Sequence, residues 1–479
     1  MIFHSLDFVV FFVVTVTVYW TLPHRWQNRW LLVTSYFFYG YVHPWYLALL
    51  LTSTSIDYWA ALRMNADPAR RKWYLALSVG SNMGVLCFFK YFNFFAENVS
   101  RVLGAVGLPV TTPLVAVMLP VGISFFTFQA LTYTVDVYRG RLQARRSFVD
   151  VATFVALFPQ LVAGPIERAA HILPQVETRR RFTAEAARTG LLLIAWGYFK
   201  KLVVADTAGV VANKVFALAD PSFPMLWSGV LAFGLQIYAD FSAYSDIARG
   251  TARWLGFELM VNFDQPYLAR GPRDFWSRWH ISLSTWFRDY VYIPLGGSRL
   301  GFPRELGNIM TTFLISGLWH GASWNYVLWG GYHGLLLVAS RLASRVFPKP
   351  GPKLARALVP LRVAAMCVLV HVGWLMFRET DTQMLLRDLT RSPWTASALD
   401  WKASLALVLM LVPFAAPLYL QGLAVEWWRG RREPFVDGPA HPPARVAWLV
   451  TQGVLVGVLF TGILLFRSRA SLDFIYFQF

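Results

Sequence analysis

Apolar stretches of about twenty residues recur along the chain, divided by short polar segments, and runs such as Leu191 to Ile194 and Leu455 to Phe466 carry almost no charge. At roughly 20 residues per crossing, the pattern predicts spans near 7–22, 30–42, 45–62, 73–95, 115–138, 187–209, 225–248, 306–320, 322–341, 358–378, 402–424 and 446–466. Residues 30–62 are too many for one helix, and Gly40 and Pro44 offer the break that divides them. The first stretch lacks a basic leader and a small-x-small cleavage site, so it reads as a retained span. The expected architecture is an all-α polytopic membrane protein with about 11–12 transmembrane helices plus re-entrant and interfacial segments, forming one membrane domain over residues 1–479.

Two segments depart from the spanning pattern. Residues 148–166 are apolar enough to enter a bilayer, yet Pro159, Gly164 and Pro165 break any helix there, which predicts a re-entrant hairpin lining an internal cavity. In residues 273–290, Trp276, Trp279, Leu283 and Phe287 form an apolar helical stripe flanked by Arg and Asp, which predicts one amphipathic helix on the cytoplasmic side.

Composition strengthens the membrane reading: 56% of residues are hydrophobic and 15% charged, well away from a soluble enzyme or a disordered chain. The net charge of +18 raises nucleic acid as a partner, but the basic residues lie in short clusters between apolar spans, so no nucleic acid is expected. With the N-terminus outside, 30 Lys and Arg fall in inner loops and 6 in outer ones. That bias predicts periplasmic termini, with Lys349 and Arg431 cytoplasmic and residues 381–400 periplasmic. Cys87 and Cys367 both sit in apolar stretches and offer neither a disulfide framework nor a cysteine metal site.

Ionisable groups at membrane depth are costly and count as functional candidates. His320 lies in Ser316-Gly317-Leu318-Trp319-His320-Gly321, at the end of an apolar helix read as about 14 residues, too short at roughly 21 Å to cross. Neutral imidazole there can act as a base toward a hydroxyl, and a structural histidine bonded to a carbonyl fits equally well. His280 follows Trp279 on the amphipathic segment, where interfacial packing is the ordinary role. His333, 13 residues after His320, has the plain reading of a bond to a neighbouring carbonyl. Asp240, Ser242 and Asp246 lie at the inner end of one span, and Arg249 or Arg253 is the expected partner of the two acids. Their spacing does not place both acids on one helix face, and no metal triad, nucleophile elbow or phosphate loop appears.

Four blocks together resemble the membrane-bound O-acyltransferase family, and within it the alginate O-acetyltransferase branch. They are Trp319-His320-Gly321, Arg273-Asp274-Phe275-Trp276-Ser277-Arg278-Trp279-His280, Phe158-Pro159-Gln160 to Pro165-Ile166, and Asp240-Phe241-Ser242-Ala243-Tyr244-Ser245-Asp246. The resemblance covers nearly the whole chain. It implies a ring-like helical fold in which an outer funnel and an inner cavity meet near the histidine. It also implies His320 and His280 as catalytic residues, with Trp319, Trp279, Asp240, Ser242, Asp246, Arg273 and Arg278 along the substrate or donor tunnel.

The expected reaction starts from cytoplasmic acetyl-CoA, with no metal, and delivers acetyl outward across a bacterial inner membrane. Arg270, Arg273, Arg278 and Arg288 are candidate contacts for the coenzyme phosphates, and obedience to the positive-inside rule alone is the plainer reading of each. The resemblance implies a periplasmic SGNH hydrolase-like acetyltransferase as partner and a polysaccharide as acceptor. D-alanyl transfer from a carrier protein, a transporter using His320, Asp240 and Asp246, and a non-catalytic scaffold are the alternatives. The aromatic tail Phe474-Ile475-Tyr476-Phe477-Gln478-Phe479 is expected to be buried, either against the chain itself or on a partner.

Overall fold

The computed structural model describes residues 1–41, 43–108, 114–115, 119–348, 350–427, 442–468, 472, 474 and 475. Lys349, Arg431 and residues 476–479 of the tail lie outside the described residues. Every regular element among the described residues is helical. The helices Leu6–Thr21, His24–Gly40 and Tyr46–Ala66 follow the first expected spans, and the chain breaks between Gly40 and Tyr46 where Gly40 and Pro44 predict it.

Contacts divide the chain into two compact units, residues 1–194 with 247–260, and residues 195–246 with 261–479. Among the described residues, four helices are long and apolar enough on their own to cross a membrane: Pro68–Ala105, Val359–Arg378, Ala398–Ala424 and Trp448–Phe466. Other long helices carry polar side chains that the protein, rather than lipid, must satisfy. Asp57 of Tyr46–Ala66 illustrates this in the first unit: it is buried and accepts from Ser78 Oγ at 2.6 Å and Asn82 Nδ2 at 2.9 Å.

The hairpin segment, also in the first unit, folds as the helix Phe148–Ala156, a break at Leu157 and the single turn Phe158–Leu161 with Pro159 in its first turn. Residues 151–167 are all buried. Protein groups satisfy the irregular backbone: Ser35 Oγ accepts from the Phe158 amide at 3.1 Å, and Gln160 Nε2 donates to the Phe154 carbonyl at 2.6 Å.

In the second unit the segment predicted as one amphipathic helix is two pieces, Pro272–Trp276 and Ile281–Phe287. The break falls at His280, whose φ of 43° and ψ of 54° lie in the left-handed region that a side chain adopts only at a cost. An apolar stripe read by periodicity alone cannot register one residue leaving the helical region.

The helix ending at His320 is longer than predicted. It runs from Phe302 to His320, 19 residues, because Pro303 starts it within a polar turn that hydropathy assigned to a loop. Its length is therefore no argument for a mid-membrane break, although His320 remains its final residue. This helix packs on Trp324–Val346 through small residues: a Cβ on Gly330 would lie 3.1 Å from Gly317 Cα, and one on Gly334 would lie 2.9 Å from Met310 Sδ.

Candidate active site

The site lies wholly within the second unit. Gly321, after His320, continues in extended backbone, and the Tyr326 ring occupies the space a side chain at Gly321 would need. The chain thus turns sharply after the imidazole, which is 6% exposed. Trp319 and Trp329, each with ring centres 5.0 Å away, and Phe377 at 5.3 Å wall the His320 ring. Aromatic walls of this kind exclude water and leave polar chemistry to the imidazole nitrogens.

His280 also adjoins Trp319, at a ring separation of 6.4 Å, with Phe241 at 4.6 Å. Its Nδ1 lies 3.1 Å from Asn262 Oδ1, which also accepts from the Ser282 backbone amide at 3.2 Å and from Ser282 Oγ at 2.9 Å. Asn262 Nδ2 donates to Ser245 Oγ at 3.2 Å. Trp279, the neighbour of His280, is buried against Trp374 at 4.7 Å and Phe263 at 5.0 Å. The structure therefore brings His320, Trp319 and His280 together around one indole, with Trp279 in the adjoining aromatic layer.

Two further histidines adjoin the same aromatics. His333 lies 5.0 Å from Trp329 and 5.1 Å from Trp276, and its plain reading as a carbonyl-bonded histidine is not met: neither ring nitrogen has a hydrogen-bond partner among the described residues. His371, not singled out from the sequence, donates from Nδ1 to the Cys367 carbonyl at 2.7 Å and packs 5.5 Å from the Tyr267 ring. The signal for it was available, since an imidazole in the middle of an apolar helix is itself unusual.

The acidic candidates pair with two lysines that the sequence reading did not single out. Asp246 pairs with Lys200 at 2.7 Å, and Lys200 also donates to Ser242 Oγ at 2.9 Å. Asp240 pairs with Lys201 at 3.2 Å, and Lys201 reaches Asp206 at 2.8 Å. Both lysines precede the acids by some forty residues and lie on a π-helical turn, Lys200–Ala205, so no local spacing reveals them. The same network fixes the C-terminal segment: Lys201 Nζ donates to the Leu472 carbonyl at 2.9 Å, and Asp240 Oδ2 accepts from the Ile475 amide at 2.7 Å. Phe474 and Ile475 are buried, with Phe474 against Tyr244 at 4.9 Å, so the start of the tail packs on its own chain.

Among the basic candidates, Arg278 is committed to ion pairs with Asp274 at 2.7 Å and Glu426 at 2.6 Å, whereas Arg273 is exposed. Arg288 bonds its neighbour Asp289 at 2.8 Å. Arg270 lies 3.5 Å from Glu426.

A helical membrane fold with buried histidines arrayed around tryptophans defines a class, and sequence comparison names it. Residues 139–377, which include His280 and His320, match MBOAT, the membrane-bound O-acyltransferase family, and the chain belongs to that family. It is 36% identical over 493 aligned residues to a probable alginate O-acetylase of Pseudomonas putida, covering 100% of both chains. It is 39% identical to the probable alginate O-acetylase of Azotobacter vinelandii over 81% of this chain and 77% of that one. It is 33% identical to a peptidoglycan O-acetyltransferase of Helicobacter pylori over 75% of this chain and 72% of the relative. The protein is a membrane O-acyltransferase.

Proposed function

We propose that this acyltransferase takes acetyl from cytoplasmic acetyl-CoA and delivers it across a bacterial inner membrane, with both chain termini periplasmic. In this reading His320 is the general base. The attacking hydroxyl gives its proton to the imidazole as its oxygen bonds to the thioester carbonyl carbon; the C–S bond then breaks, and the coenzyme A thiolate leaves and takes the proton from the imidazolium. The observation that carries the proposal is the setting of His320, a buried imidazole at a helix end between Trp319, Trp329 and Phe377, with His280 6.4 Å from the same Trp319 ring. A base enclosed in this way acts without competing hydrolysis.

The acceptor is a hydroxyl of a periplasmic SGNH hydrolase-like acetyltransferase, which passes acetyl to an alginate-like exopolysaccharide. The names of the relatives, two alginate O-acetylases and a peptidoglycan O-acetyltransferase, support O-acetylation of an envelope or secreted polymer. Exposed Arg273 on the basic inner segment supports a phosphate-bearing donor, and committed Arg278 serves to hold that segment in place. Two measurements test the proposal. Purified protein given acetyl-CoA should release coenzyme A thiol in proportion to acetyl transferred. Cysteines introduced in residues 381–400 should react with an impermeant reagent in cells with a permeabilised outer membrane, and thiol release without transfer, or no labelling, would contradict it.

A further inference from the structure

The left-handed turn at His280 is gripped by a residue eighteen positions earlier. The Asn262 backbone carbonyl accepts from the Ile281 amide at 2.9 Å, while its side-chain oxygen accepts from the Ser282 amide at 3.2 Å. Asn262 therefore satisfies the first two amides of the Ile281–Phe287 helix from outside that helix, the work a local N-cap side chain usually does. Both Asn262 and His280 are 1% exposed.

These contacts also settle which atoms carry protons. A backbone amide only donates, so the Asn262 atom facing the Ser282 amide is the carbonyl oxygen and not the amide nitrogen. The Ser282 hydroxyl lies 2.9 Å from the same oxygen and 3.4 Å from His280 Nδ1, and its single hydrogen goes to the nearer acceptor, the Asn262 oxygen. An oxygen only accepts, so His280 Nδ1 at 3.1 Å must carry its hydrogen. In neutral imidazole the lone pair then resides on Nε2, on the opposite edge of the ring.

We infer that Asn262 is a positioning residue for the acyl transfer: it fixes the His280 turn and the Nδ1–H tautomer, so that His280 Nε2 faces a hydrogen-bond donor of the substrates, a hydroxyl or an amide N–H, and not the thioester carbonyl oxygen. A lone pair on Nε2 cannot stabilise an oxyanion, which requires donors. It can orient a hydroxyl or hold the amide of a pantetheine arm. The inference rests on the proposed acyl transfer only for what the donor group is; the tautomer stands on the geometry alone.

Two readouts keep those parts apart. Full-length protein carrying 15N-labelled histidine, reconstituted in lipid, reports the tautomer of each imidazole by solid-state NMR, and His280→Gln identifies the His280 signals by their loss. Nδ1 of His280 should be protonated and Nε2 unprotonated, and Asn262→Ala should turn this into a mixture or the reverse tautomer. A protonated Nε2 in the wild type, or an unchanged tautomer in Asn262→Ala, overturns the inference. In coenzyme A release from acetyl-CoA, Asn262→Ala should lose turnover by roughly 10- to 1000-fold, with donor KM unchanged where Nε2 orients the hydroxyl and raised where it holds the pantetheine amide. Asn262→Asp keeps the three acceptor contacts, adds a charge that favours imidazolium, and should move the acid limb of the pH profile upward by about one pH unit or more. An acid limb left in place would show that the ring held by Asn262 does not titrate in the reaction, and would overturn the positioning role. If His280→Gln keeps full turnover while the tautomer is as described, the functional assignment of His280 fails and the geometric one survives.

Discussion

Gly317 and Gly330 face each other across the two helices that carry His320 and Trp329, so closely that a methyl group on either would lie 3.1 Å from the other's Cα. The neighbours are backbone atoms, which cannot move aside as a flexible side chain would. Gly330→Val should therefore separate the helices, at a cost of about 1–3 kcal/mol for overpacking, and open the wall on His320. A lower melting temperature in detergent together with reduced turnover is the expected outcome; wild-type values for both would show that the close approach does not matter.

Lys201 is 4% exposed and is the shared cation of Asp206 and Asp240. Replacing it by Met leaves two buried carboxyl groups without their cation, a change that costs about 3–5 kcal/mol when a buried pair is broken. Lys201→Met should lower the yield of folded protein and release the segment around Leu472 and Ile475 to protease. Lys200→Met should be milder, because its partner Asp246 is 19% exposed and reaches water. Equal effects of the two would contradict this ordering.

Arg273 and Arg278, two basic neighbours in sequence, should behave differently. Arg278→Ala breaks the pairs to Asp274 and Glu426 and should lower thermal stability. Arg273→Ala should leave stability unchanged and raise donor KM by about three- to tenfold, the usual net worth of one hydrogen bond. A KM effect confined to Arg278→Ala would reverse the assignment.

His171 and Glu167 give a pH dependence outside the membrane-spanning segments. His171 Nδ1 lies 2.7 Å from Glu167 Oε2, and this hydrogen bond raises the imidazole pKa above its usual value against the opposing effect of burial. A raised folded-state pKa means that the stabilisation is fully present below the unfolded value, near 6.5, and is lost as pH rises through the folded value. The imidazole is 46% exposed, so solvent screening holds the contribution below about 1 kcal/mol. The melting-temperature gap between wild type and His171→Ala should be widest below about pH 6.5 and shrink as pH rises above it, and a gap that widens with pH would refute it.

Much of the fold was legible because the membrane imposes length and apolar composition on a helix, as in Val359–Arg378 and Trp448–Phe466. His320 and His280 were legible as ionisable groups within apolar segments. Asn262 was not, because a lone asparagine in an irregular stretch carries no periodicity, and its role comes from a contact with residues eighteen to twenty positions later. Lys200 and Lys201 escaped for the same reason: they precede Asp246 and Asp240 by some forty residues and lie on another helix, so no local spacing connects them to the acids. The start of the Phe302–His320 helix was missed because its first turns carry Arg304 and Glu305, and Glu305 is buried in a bond with Arg341 that hydropathy does not register.

The most direct test of the account is coenzyme A release and acetyl transfer from acetyl-CoA by purified His320→Ala protein, set beside wild type with melting temperature and membrane insertion measured on the same preparations. His320 as general base predicts a fall in turnover of about 10²–10⁴-fold with folding and insertion intact. Wild-type turnover by a correctly inserted His320→Ala protein would contradict the assignment and leave His320 a structural histidine at the end of its helix.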